Sequence, residues 1–305
     1  MKVVAEGGRR MRRYALLLAV NDSEYVRKVY GGYFEVFVRA FGDVGGDGDG
    51  DSDGGEAWDL FRAVDGELPG EDEIAGYDGF VISGSPNDAY ADDLWILRLC
   101  LLVRELVALQ KRLLGICFGH QVICRALGGR VGKARGGWDI GIREVAMADP
   151  LPPFRFLDAV QGLPAPPYAK ITEIHQDEVW ELPVGAELLA SSSKTGVEVF
   201  CAGDRVLGIQ GHPEYTNDIL LNLVDRLSSA GSITVSNAAS PDASSLCIKQ
   251  KIHRRNLKHF YVLAICALQM ALAEDVKSQL ENTEPDREFW LKLCKSFLKT
   301  ETEEA

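Results

Sequence analysis

Apolar residues along this chain follow two rhythms, continuous short runs and stripes on helical spacing. Tyr14–Val20 is an unbroken apolar run, the pattern of a central strand buried on both faces. Tyr25–Phe41 carries Val26, Val29, Tyr30, Tyr33, Phe34 and Phe37 on helical spacing, which predicts one helix. Trp58–Val64 and Phe80–Ile82 read as a second and third strand, and Leu94–Leu109 as a helix with a broad apolar face. Leu113–Ile116 reads as a fourth strand. A stripe of Val122, Ile123, Ala126 and Leu127 follows, and Gly128 and Gly129 stop that helix. Strands alternating with helices predict an α/β fold, a mostly parallel sheet with helices on both faces.

Beyond Gly129 the rhythm changes. Ile140–Met147, Glu187–Ala190, Val197–Cys201 and Val206–Ile209 read as short strands joined by Gly, Pro and Asp turns, a small antiparallel extension of the sheet. A helix then places Ile219, Leu220, Leu223, Val224 and Leu227 on one face. Another, Asp286–Lys299, does the same with Phe289, Trp290, Leu293, Cys294, Phe297 and Leu298. Residues 236–272 fit neither rhythm. They pass from Ser/Ala/Pro to a basic run and then to a 14-residue, largely apolar run, 260–273, too short for a bilayer span of about 20. The expected organisation is a tail at 1–13, a catalytic domain at 14–235, an atypical insertion at 236–272, and a helical segment at 273–305 packed on the domain. The insertion is expected to be peripheral, poorly ordered at 237–250 and without part in catalysis.

The chain has 305 residues, 46% of them hydrophobic, enough for a full core. Its net charge of −12 argues against nucleic acid or an anionic membrane as the main partner. Part of that charge lies in the Gly/Asp loop 42–55. There Asp49, Asp51, Asp53 and Gly54 imitate the start of a calcium loop, but Leu60 stands where the bidentate glutamate is needed, so no metal is expected. The seven cysteines form no C-x-x-C pair and no disulfide-like spacing, which fits a reducing, cytoplasmic (cytosolic) setting. The arginines before Tyr14 precede an apolar run too short for a signal peptide core.

Candidate chemistry centres on Cys117. Gly115 and Gly119 flank it, at the junction of a strand and a helix. A G-x-C-x-G turn there is the thiol form of a nucleophile elbow. The helix N-terminus favours the thiolate; the competing reading is a small buried core residue. A thiol nucleophile needs a base, and the base an orienting group. Of five histidines, His253 and His259 lie in the insertion, and His120 follows Cys117 too closely to meet its sulfur. His175 and His212 remain, and Glu214 stands two residues beyond His212.

The turn ISGSP (82–86), GICFGHQ (115–121) and GHPE (211–214), in this order, resemble the class I, triad-type glutamine amidotransferases over roughly residues 14–230. Within them KARGGWDIG (133–141), HQDEVWELP (175–183) and EPDREFWLKLCKSFLK (284–299) are most similar to the plant gamma-glutamyl peptidases, which remove the γ-glutamyl group from glutathione conjugates in sulfur metabolite pathways such as glucosinolate synthesis. The resemblance implies a flavodoxin-like fold. It implies Cys117 as nucleophile, His212 as base and Glu214 as orienting carboxylate. It implies Phe118 and the Gly84-Ser85 turn as oxyanion hole, and Gln121 as a contact of the glutamyl group. It implies no cofactor, a small γ-glutamyl substrate and no obligate synthase partner. Two other readings stay open, a glutaminase subunit delivering ammonia to a separate synthase and a catalytically silent interaction protein.

Overall fold

The computed structural model describes residues 10–43, 55–161, 167–229 and 274–300. Nine strands form one sheet in the order β2-β1-β3-β4-β11-β10-β9-β6-β7. The first five run parallel: β2 (Glu56–Phe61), β1 (Arg12–Leu17), β3 (Gly79–Ile82), β4 (Arg112–Ile116) and β11 (Val206–Ile209). The other four pair antiparallel: β10 (Val199–Ala202), β9 (Glu187–Ser191), β6 (Asp139–Met147) and β7 (Tyr168–His175). The expected small extension is therefore four of nine strands. A separate ribbon pairs β5 (Arg130–Lys133) with β8 (Asp177–Glu181).

Side chains on a strand alternate between faces, and β1 with the two residues after it feeds a different core on each side. Tyr14, Leu16 and Leu18 enter one apolar cluster, and Ala15, Leu17 and Ala19 the other. The first cluster is covered by α2 (Tyr33–Phe41), α6 (Arg155–Gln161), α7 (Asn217–Ser229) and the C-terminal helix Arg287–Lys299. The second is covered by α4 (Leu94–Ala108) and α5 (Phe118–Ala126). Trp290 anchors the C-terminal helix. Its ring is wholly buried and its indole N–H donates to the Lys170 carbonyl at 2.9 Å. Truncating such a side chain costs about 3–5 kcal/mol. Helical residues 274–282 place Val276 and Leu280 against Ile140, Ile142, Leu220 and Val224.

Several expectations need correction. The helix expected over Tyr25–Phe41 is two, α1 (Glu24–Tyr30) and α2, because Gly31 and Gly32 adopt φ of 91° and 129°. The strand expected at Trp58–Val64 begins at Glu56 and gives way to a 3-10 turn, Ala63–Asp65. Arg12 and Arg13, expected in the tail, belong to β1. The calcium-like positions 49–54, residues 1–9 and the insertion fall outside the described residues. No described helix is long and apolar enough to cross a membrane.

β7 stands at the far edge of the sheet from β1, yet the His212 N–H donates to Thr172 O at 2.8 Å. The antiparallel half thus curls back over the carboxyl end of β11. The fold-back makes the wall of the cleft described next.

Candidate active site

Cys117 sits where β4 ends and α5 begins, with φ 51° and ψ −103°, a conformation that costs a non-glycine residue about 1–3 kcal/mol. Its surroundings hold it there. The Cys117 N–H donates to Ile209 O at 2.8 Å, and its carbonyl accepts from the Gln121 N–H at 3.0 Å. The flanking glycines are required by contact. A Cβ on Gly119 would lie 2.3 Å from the Ile82 carbonyl oxygen, and one on Gly115 would lie 2.5 Å from Gly119. The sulfur thus rests at the mouth of the sheet, where parallel strands end.

β11 runs directly into Gln210-Gly211-His212-Pro213-Glu214. His212 and Glu214 are both buried, and Nδ1 lies 2.8 Å from Glu214 Oε1. With Nδ1 held by the carboxylate, Nε2 is the nitrogen turned to Cys117. Burial alone would push this imidazole down, but the Glu214 carboxylate and then Cys117 raise it, to about 10. The Tyr215 ring stacks on His212 at 4.1 Å and 5° and fixes its plane. Sequence reasoning missed Tyr215, although it directly follows the GHPE motif.

The turn after β3 closes the other side. The Ser83 hydroxyl accepts from the Ala19 N–H at 2.8 Å and donates to Gly84 O at 3.0 Å, which fixes the turn. A Cβ on Gly84 would lie 2.8 Å from His212 Cε1 and 3.6 Å from Cys117 Cβ. Gly84 and Ser85 therefore stand beside the sulfur, as does Phe118, whose N–H belongs to the first turn of α5 and has no helical acceptor. Gln121 also reaches this space. Its Nε2 donates to Asp177 O at 2.9 Å and Gln210 Oε1 at 3.0 Å, so its own carbonyl oxygen is what it can offer a ligand.

Cys117, His212, Tyr215, Gly84, Ser85 and Gln121 line a cleft of about 330 Å³. Tyr33, Trp138, Ile174, Leu223, Leu227 and Arg226 also line it. None of these six was singled out as a site residue from sequence, because they come from α2, the approach to β6, β7 and α7, and share no motif. The two other candidate histidines are placed differently. His120 is packed at 5.0 Å against Phe200 and burial pushes its imidazole down to about 3, so it stays neutral. His175 borders the cleft, but its Nε2 points at Glu173, 3.3 Å away.

The class-I glutamine amidotransferase family model matches residues 63–219. Gamma-glutamyl peptidase 5 of Arabidopsis thaliana is 42% identical over 294 residues, covering 96% of this chain and 98% of its own. Gamma-glutamyl peptidase 3 of the same plant is 42% identical over 288 residues, 94% of this chain and 97% of its own. Among solved structures, a glutamine amidotransferase from Thermotoga maritima superposes with a TM-score of 0.56 at 17% identity, over 95% of this chain and 99% of that one, a likeness of fold. With the cysteine elbow, the His-Glu pair and the glycine turn gathered in one cleft, the chain belongs to the class-I glutamine amidotransferase family and, within it, to the gamma-glutamyl peptidases.

Proposed function

We propose that this chain hydrolyses the γ-glutamyl amide of glutathione conjugates, releasing glutamate and a Cys-Gly conjugate, with Cys117, His212 and Glu214 as its catalytic groups. Family membership makes it a hydrolase with amidotransferase-type cysteine chemistry. The Cys117 thiolate attacks the γ-carbonyl carbon. The Phe118 N–H and the Gly84-Ser85 turn receive the oxyanion, each donor worth about 3 kcal/mol in rate. The His212 imidazolium, held by Glu214, donates its Nε2 proton to the leaving amine as the C–N bond breaks. A γ-glutamyl thioester remains on Cys117. Water, deprotonated by His212, adds to that carbonyl; glutamate leaves and the thiolate returns. The substrate is a small molecule, and the steps need no metal, no organic cofactor and no partner protein. The Gln121 carbonyl oxygen accepts a hydrogen bond from the glutamyl moiety.

One observation carries the choice of a conjugate over glutamine. Trp138, Ile174, Leu223 and Leu227 line the same cleft as Cys117, and Arg226 adds a cation to that lining. A leaving ammonia needs neither. An S-substituted Cys-Gly group offers apolar surface to the wall and a carboxylate to the guanidinium. Glutamate release from a panel of glutathione S-conjugates, with glutamine alongside and no ATP, tests this. Conjugates turning over faster than glutamine support it. Turnover of glutamine alone, and only with a second protein added, favours the ammonia-donating alternative.

A further inference from the structure

Behind the cleft wall lies a second cluster for which the proposed chemistry has no use. Glu173 and His175 lie two apart on β7 and so share a face. Glu198 reaches them from the residue before β10, where its N–H donates to Ala190 O and its carbonyl accepts from the Gln210 N–H. All three side chains are buried, both carboxylates almost completely. One ligand atom from each residue can be chosen so that all lie within 4.8 Å of one another.

The chemistry of the cluster is one-sided. His175 Nδ1 lies 3.0 Å from the Asp177 carbonyl oxygen, which can only accept, so Nδ1 carries the hydrogen. The other ring nitrogen, Nε2, faces Glu173 Oε2 at 3.3 Å. Apart from the Ser192 hydroxyl beside Glu198 and the contact between the two glutamates, the oxygens of Glu173 and Glu198 and His175 Nε2 have no hydrogen-bond donor among the described residues. Asp139, whose charge also acts on Glu173, is engaged by Arg143 at 2.6 Å and Lys194 at 3.5 Å. Four carboxyl oxygens and a ring nitrogen thus converge in a buried space where burial pushes both carboxyls well above the usual carboxylate range, so the nest takes up positive charge, as protons or as a cation.

We propose that Glu173, His175 and Glu198 bind one divalent cation of the zinc class, in a site distinct from the Cys117 cleft. Two carboxylates balance the charge of such an ion, and imidazole nitrogen and carboxylate oxygen are each zinc ligands. In a tetrahedral site with bonds of about 2.0–2.1 Å, neighbouring ligand atoms stand about 3.3 Å apart, which is the Glu173–His175 separation. The bond from His175 Nδ1–H to a backbone carbonyl is the outer contact that orients a metal-binding imidazole. Bound there, the ion ties β7 to the segment entering β10, directly behind Gly211, whose Cβ, if present, would lie 2.5 Å from Glu173 Oε1.

The test uses the full chain carrying Cys117→Ala, so that no catalytic thiol competes for zinc. The protein is stripped with chelator and titrated with ZnCl2, with metal content measured after gel filtration and unfolding followed by circular dichroism. The expected result is about one zinc per chain and a higher melting temperature with zinc than without. Adding Glu173→Gln or Glu198→Gln should weaken zinc binding about 10-fold or more and remove the thermal shift. Glutamine matches the shape of a protonated glutamate, so these variants keep the fold, and far-UV spectra check that. Absence of stoichiometric zinc overturns the site and leaves protons as the neutralising charge. Zinc that binds equally well to both glutamine variants overturns it too.

Discussion

The molecule holds two carboxylate–imidazole pairs of identical spacing, and the ring nitrogen each carboxylate takes separates their roles. In His212–Glu214 the carboxylate holds Nδ1 at 2.8 Å and leaves Nε2 free toward Cys117. In Glu173–His175 a backbone carbonyl holds Nδ1, and Nε2 faces Glu173 and Glu198. The first arrangement can move a proton to and from a substrate. The second has its basic nitrogen turned away from the sulfur, into a closed acidic nest. Sequence spacing alone makes the two pairs equivalent. The strands that carry them break the symmetry: one pair follows a parallel strand into the cleft, the other lies on the antiparallel edge that curls over it.

The largest effect should come from the sulfur that only the first pair serves. Cys117→Ala should abolish glutamate release and keep the fold, because a small apolar residue suits the elbow; turnover at the parent rate would remove Cys117 from the mechanism. Next, His212→Ala should lower kcat by about 10³-fold, as loss of a general acid–base does. His175→Ala should cost far less, and equal losses would erase the distinction between the pairs.

Glu214→Gln should cost less than His212→Ala, about 10²-fold, and should move the pH profile. The raised His212 value predicts a basic limb near pH 10 in the parent, where the imidazolium that protonates the leaving amine is lost. Without the Glu214 charge that limb shifts to lower pH. The sign for stability is the same. An imidazole raised from 6.5 to about 10 stabilises the folded chain fully below pH 6.5, and that stabilisation is lost as pH rises through 10. An unmoved basic limb in Glu214→Gln would mean that the carboxylate does not hold His212.

Gly84→Ala presses a methyl group 2.8 Å from His212 Cε1 and displaces the imidazole. A misplacement of that order costs about 10²-fold or less in kcat, while melting should change little. Smallest, Arg226→Ala should raise KM for a glutathione conjugate about 10-fold, the worth of one charged hydrogen bond, and leave KM for glutamine unchanged.

The parallel half of the fold was legible because most of its strands lie in continuous apolar runs, β2 with its Glu56 and Asp59 excepted, and the elbow because glycines bracket a cysteine. The antiparallel half was harder. β7 reads YAKITEIH, and its buried Thr172, Glu173 and His175 interrupt the apolar pattern that would mark a strand. Two of them, Glu173 and His175, belong to the acidic nest, so part of what hid the strand is the chemistry it carries. The break at Gly31-Gly32 was visible in the letters but outweighed by the helical stripe on either side. The pairing of His212 with Glu214 could be read from two residues in one turn. The cleft wall of Trp138, Leu223, Leu227 and Arg226 could not, since only the fold-back of β7 toward β11 brings those segments together.

The central claim is a γ-glutamyl thioester on Cys117, served by His212 and not by His175. Rapid acid quenching of the enzyme with a glutathione S-conjugate, without ATP or added protein, followed by peptide mass spectrometry, tests it most directly. The account predicts a γ-glutamyl adduct on the peptide carrying Cys117, and a burst of Cys-Gly conjugate matching the enzyme present. Steady release of glutamate with no burst and no adduct on that peptide would contradict it.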